Sequence, residues 1–129
     1  HDRCDNKGAT LTIIKSTNNW IFGGYNPWSW TSVPGQPRIS NAFLFTLTNP
    51  HDIKPTQYFP QGDAMYNQSA FGPCFGPLNY GCDLAVFWNG NKSFTNLGSG
   101  SYVDTTGFGA NTFTGNRKFE VKEIEVFAL

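Results

Sequence analysis

Two histidines, three cysteines and nine carboxylates are the side chains of this 129-residue chain with proton, metal or covalent chemistry to offer, and their spacing argues against most of it. His1 sits at the end of the chain, so a histidine-based triad or a zinc site would have to be built around His51, in the loop Asn49-Pro50-His51-Asp52. Cys4, Cys74 and Cys82 lack C-x₂-C spacing and a fourth ligand from the same knuckle. For calcium, Asp5-Asn6, Asp63, Asp83 and Asp104 supply oxygens near glycines, yet no D-x-[DN]-x-[DN]-G loop is present. Glu123 and Glu125 lie two apart in one extended segment and should point the same way unless a bulge turns one of them, so they do not flank a glycosidic bond between them, and a solvated polar face with Glu120 is the favoured reading. Gly107-Phe108-Gly109 is a lone G-x-G without a helix pattern behind it, and reads as a loop. Trp28 and Trp30, near Tyr25, offer flat rings for a sugar or a peptide, although capping one end of a core is the favoured role. Nowhere do a nucleophile, a base and an oxyanion site occur together. The residues therefore point to a binding surface that converts no substrate and holds no metal or cofactor.

Thiols in a reducing compartment are the favoured state of the three cysteines, because an odd number this small does not staple a secreted mini-domain. The sharper alternative is a Cys74–Cys82 bridge across the intervening Gly-Pro-Leu-Asn-Tyr-Gly turn, which depends on a Cα separation that sequence does not give. The sequons at Asn67 and Asn91 matter only in a secreted chain.

Nine Lys+Arg balance nine Asp+Glu, and no more than two basic residues are adjacent, so nothing resembles a footprint for nucleic acid or for an anionic membrane. Apolar runs such as Leu84–Trp88 are far too short for a membrane-spanning helix. The chain opens at His1 without Met, which leads us to expect a piece of a longer polypeptide.

The elements that must position these residues are strands. Gly and Pro punctuate the chain at short intervals, and between them lie short runs rich in Ile, Val, Phe, Thr and Trp. The pattern predicts strands at Thr10–Lys15, Trp20–Gly23, Ala42–Thr48, Ala64–Tyr66, Asp83–Trp88 and Phe119–Phe127. Ser16-Thr17-Asn18-Asn19 is expected to close a hairpin. Phe43, Phe45 and Leu47 share a strand face, and the run from Leu84 is apolar on both faces and should be central. In the last segment Phe119 and Val121 are out of phase with Ile124 and Val126, which predicts a β-bulge at Lys122-Glu123. Ser32–Ser40 and Asn49–Gly62 read as loops, and any helix is short, around Pro27–Ser32. The expected architecture is a single, mainly β domain over 1–129: a two-layer antiparallel β-sandwich with one or two short flanking helices.

Five ordered blocks resemble the TLDc domain of the oxidation-resistance proteins. After the opening Cys4-Asp5-Asn6-Lys7-Gly8-Ala9-Thr10-Leu11-Thr12-Ile13-Ile14-Lys15, itself similar to the family's signature, they are Gly23-Gly24-Tyr25 with Trp30; Asn41-Ala42-Phe43-Leu44-Phe45-Thr46-Leu47; Phe71-Gly72-Pro73 with Phe75-Gly76 and Asp83-Leu84; Asn96-Leu97-Gly98 before Tyr102; and the stretch Phe119–Phe127. The family's domain normally begins with a further N-terminal strand and helix segment that this chain lacks. Pro77–Gly81 stands where the family has a glycine-rich stretch, and Phe127 where it has a tryptophan.

The resemblance implies a β-sandwich without catalytic residues, a cytoplasmic setting, links to membrane or cytoskeleton made through partners, protection against oxidative stress, and binding to the vacuolar proton-pumping ATPase. It also marks Asp5, Asn6, Lys7, Gly8, Gly23, Gly24, Trp30, Gly72, Gly76, Asp83, Gly98, Glu123 and Glu125 as motif or binding positions. For Glu123 and Glu125 the options are an anchor for loop amides or an exposed recognition charge. Two other readings stay open: a structural scaffold in a cytoskeletal or ciliary assembly, and a carbohydrate-binding sandwich using Trp28 and Trp30.

Overall fold

The computed structural model describes residues 8–27, 42–61, 74–76, 82–86 and 93–129. Within them, β1 (Thr10–Ser16), β2 (Ile21–Asn26), β3 (Phe43–Thr48), β4 (Thr56–Tyr58) and β9 (Val121–Ala128) form one sheet in the order β4-β3-β2-β1-β9. A second sheet runs β5 (Cys74–Phe75), β6 (Leu84–Ala85), β7 (Ser93–Thr95), β8 (Lys118–Phe119). Every pairing is antiparallel. This is the predicted β-sandwich, with strand structure dominant. The helical content of the described residues is a 3-10 turn at Gly109–Asn111. The helix expected near Pro27–Ser32 falls, from residue 28 on, outside the described residues, as does the strand expected at Ala64–Tyr66.

The two layers meet face to face because each contributes large apolar side chains to one side. Ile14, Phe22, Leu44 and Tyr58 from the first sheet close on Phe75, Leu84, Val86 and Phe119 from the second, with Tyr102 and Phe113 supplied by loops. Phe22 stands at the centre, stacked on Phe113 at 5.0 Å and edge-on to Phe119 at 5.1 Å. Such pairs contribute roughly 0.5–1.5 kcal/mol each beyond the area they bury. Close approach of the layers has one further requirement at Gly24, where a Cβ would stand 2.5 Å from Cζ of Phe75.

The β1–β2 hairpin closes through residues 17–20 as expected, with Asn19 in the left-handed region at φ 72. The second strand does not stop at Gly23 but continues to Asn26, since glycine costs a strand little when β1 and β3 hold it on both sides. The expected loop Asn49–Gly62 also contains a strand, β4, which pairs with β3 as an edge.

The predicted single strand Phe119–Phe127 is two. Lys118–Phe119 belongs to the second sheet and Val121–Ala128 to the first, the chain crossing between layers at Glu120. The bulge lies where the phase slip placed it: Lys15 pairs with Glu123 and Ser16 with Val121, which leaves Lys122 unopposed. β6 is internal to its sheet and buried on both faces, as its apolar run implied.

The cysteine expectation needs correction. Cys74 and Cys82 are joined by a disulfide and are fully buried, so the bridge, and not the pair of thiols, is the state found. Antiparallel β5 and β6 bring the two ends of the short connection side by side, which sequence separation alone could not specify. Cys4 lies outside the described residues.

Candidate functional site

The outer face of the five-stranded sheet is assembled by register. Ile13 pairs with Gly23 on one side and Glu125 on the other; Gly23 pairs in turn with Phe45, and Phe45 with Gln57. One row, Gln57–Phe45–Gly23–Ile13–Glu125, thus crosses all five strands on the side away from the core. A neighbouring row, Phe43–Tyr25–Leu11–Phe127, runs beside it. Phe43, Phe45 and Leu47 do share a face, and it is this outer one.

The absence of a side chain at Gly23 lets the Phe45 ring lie over it, its tip 3.0 Å from where a Cβ would stand. On the same face Leu11, Ile13, Phe43, Phe45, Leu47 and Pro55 line an open groove of about 490 Å³. Tyr25 stacks on Phe43 at 5.3 Å, and Phe59 packs against the same ring at 6.1 Å while half exposed. Leu47 and Phe127 are also exposed.

Glu123 and Glu125 project from β9 on this same face, two apart and parallel, as the strand period required. Lys15 stands across from Glu123, and Ile13 across from Glu125. Both glutamates are exposed, and neither side chain has a hydrogen-bond or ion-pair partner among the described residues. Neither anchors a loop amide; both carboxylates stand exposed.

The loop-amide anchor is Asp83. Its carboxylate is fully buried and accepts N–H bonds from Ser101 at 2.8 Å, Gly98 at 3.1 Å and Tyr102 at 3.3 Å, which ties β6 to the 96–102 turn. Burial pushes its carboxyl up to about 6, with the amides of Ser101, Gly98 and Tyr102 pulling the other way. Gly76, at φ +100, is pressed so close that a Cβ would collide with Asp83 Oδ1. Gly76, Asp83 and Gly98 are therefore one latch beside the Cys74–Cys82 bridge, distinct from the outer face.

A second carboxylate of this kind carried no weight in the sequence reading beyond the calcium alternative. Asp104 accepts N–H bonds from Thr106, Gly107 and Gly109 at 3.0, 2.9 and 2.8 Å, and the Thr106 hydroxyl at 3.1 Å. Partial burial raises its carboxyl, but these donors outweigh it and hold it below the ordinary range. A D-T-T-G turn is a local signal for such a cap. Asp83 and Asp104 thus spend their oxygens on backbone amides, and among the described residues no three His, Cys, Asp or Glu side chains converge. His51 stacks on Phe108 at 3.9 Å, and its Nε2 lies 2.7 Å from the Asn111 carbonyl, a bridge between two loops.

Of the remaining sequence candidates, Gly8 precedes β1 at φ +75 with open space around it, and Gly24 faces the core. Asp5, Asn6, Lys7, Trp30 and Gly72 lie outside the described residues, as do Trp28 and the platform it would form with Trp30. The groove residues Leu11, Ile13, Phe45 and Leu47 were missed as a site, since apolar side chains on both faces of a strand read as a doubly covered strand.

The profile of the TLDc domain family matches residues 1–129. Among curated proteins, an mTOR-associated protein, MEAK7, from Danio rerio is 36% identical over 44 residues. That stretch is 34% of this chain and 10% of the relative, so the likeness spans a small part of the longer protein.

Proposed function

Because this chain belongs to the TLDc domain family, we propose that it is a non-catalytic protein-binding module whose recognition surface is the outer face of the five-stranded sheet. The observation that carries this is the open apolar groove lined by Leu11, Ile13, Phe43, Phe45, Leu47 and Pro55, with Leu47 and the nearby Phe59 exposed. Large exposed apolar patches on soluble domains mark interaction sites. The carboxylates support binding over catalysis: Asp83 and Asp104 are engaged by amides, and Glu123 and Glu125 point the same way from one strand.

The partner favoured by the family resemblance is the vacuolar proton-pumping ATPase, met in the cytoplasm and linked to protection against oxidative stress. The zebrafish relative, described as mTOR-associated, supports a role in protein association.

Immobilised chain is tested for capture of the purified soluble sector of that ATPase. Leu11→Glu and Leu47→Glu should weaken capture about tenfold, the loss expected when a charge enters an apolar contact, at unchanged thermal midpoint. Absence of capture by the wild-type chain refutes the partner. Capture indifferent to both substitutions refutes the surface. A hydrolase or peroxidase turnover abolished by one point substitution refutes the non-catalytic reading.

A further inference from the structure

The eight-residue strand β9 closes one side of the five-stranded sheet and pairs only with β1 among the described residues. Leu129 donates its N–H to the Ala9 carbonyl at 3.0 Å, so in the antiparallel alternation Phe127, Glu125 and Glu123 turn their backbone groups toward β1. Ile124, Val126 and Ala128 turn theirs outward, to no partner among the described residues. The two faces of this edge differ chemically. On the outer face stand Glu123 and Glu125, exposed and without ion-pair partners; on the inner face Val121, Ile124 and Val126 are only partly covered.

We propose that the outward edge of β9 accepts an extended segment of a protein partner in which apolar residues alternate with Lys or Arg, added as a further antiparallel strand. The proposal deepens the protein-binding reading and rests on it. An added strand supplies the hydrogen bonds that the outward N–H and C=O groups lack. Its period of two sends one set of side chains against Glu123 and Glu125 and the other over Ile124 and Val126. Charge selects the occupant. A second copy paired about Ile124 would set Glu123 against Glu125 twice, one paired about Glu125 would oppose that residue with itself, and one paired about Val126 would lay Glu125 against Phe127 and leave both glutamates without a counter-charge. Basic residues at those positions turn the same contacts favourable, and the apolar phase enlarges the cover over the core edge.

A labelled octapeptide alternating Val and Lys, titrated with the chain and followed by fluorescence anisotropy, tests this. It should bind about tenfold more tightly than a Val–Glu alternation, and than a peptide of the same composition with valines and lysines in separate blocks. The doubly substituted E123K/E125K chain, altered only at exposed positions, should reverse the preference. N-methylation of the peptide amides in one alternating phase should abolish binding, and in the other phase leave it. Equal affinity for all peptides, indifference to the methylated phase, or a dimer of the chain that competes with the peptide would each overturn the proposal. If the peptide fails while Leu47→Glu still weakens ATPase capture, the edge falls and the protein-binding reading stands. If the peptide binds as stated without ATPase capture, the edge stands and that partner falls.

Discussion

Replacing Asp83 by Asn isolates how burial weighs against the backbone amide donors at one carboxylate. Asp83 is fully buried, and its carboxyl is raised from 3.8 to about 6. A rise of about two units, at about 1.4 kcal/mol each, makes the ionised form roughly 3 kcal/mol less stable relative to the neutral form in the fold than in the unfolded chain. The folded state therefore binds the proton more tightly. Its contribution to stability is fully present below about pH 4, falls as pH rises toward about 6, and is absent above.

In Asp83→Asn that titration is gone. The amide nitrogen must face either the Ser101 N–H or those of Gly98 and Tyr102, a cost that does not vary with pH. Urea denaturation of both proteins, stepped from about pH 3.5 to about pH 7, cancels every titration they share. The stability advantage of the wild type over the variant should shrink by about 3 kcal/mol across that range. A constant gap, or one that widens toward neutral pH, would mean that the amides outweigh burial and that the latch favours the charged form.

Gly76→Ala should lower stability by about 2–4 kcal/mol, combining left-handed strain with the collision against Asp83, whereas Gly8→Ala, equally left-handed but in open space, should lose only about 1 kcal/mol; equal losses in urea midpoint would remove Gly76 from the latch. Reducing the Cys74–Cys82 bridge, whose ends are 8 residues apart, should cost about 2–3 kcal/mol of stability, read as a lower urea midpoint with dithiothreitol, and Cys74→Ser should abolish that dependence on reductant. A midpoint indifferent to reductant would refute the bridge.

Much of the fold was legible because the strands announce themselves locally. Thr10–Lys15 and Ala42–Thr48 are dense in β-branched and aromatic residues, and the slip between Phe119/Val121 and Ile124/Val126 marked a bulge that the pairing of Lys15 with Glu123 places at Lys122. What the slip did not disclose is that Phe119 and Val121 lie in different sheets, since layer assignment is a long-range property of pairing. The two-residue strand Cys74–Phe75 is too short for any period to register, and with it the side-by-side placement of Cys74 and Cys82 stayed hidden. The motif residues split for a related reason. Gly76, Asp83 and Gly98 are held together by close packing and an amide bond, while Glu123 and Glu125 hold nothing within the described chain.

That split separates folding from recognition. The Asp83 latch, the Asp104 turn and the Phe22 cluster satisfy their polar groups and fill their space between and around the layers. The outer face departs from this pattern: it leaves apolar side chains open around a groove, and it sets two unpaired carboxylates at the sheet edge beside backbone groups that no described residue uses. Substitutions on the latch change the reference state of every binding measurement, because they alter the folded population before a partner arrives. Substitution at exposed Glu125, which stands across from Ile13, takes no partner from any neighbour in the fold and acts on the bound state, whereas a lysine at Glu123 would also stand across from Lys15. The outer face is thus the place where affinity can be altered at constant stability, and there a change in affinity can be read as loss of a contact.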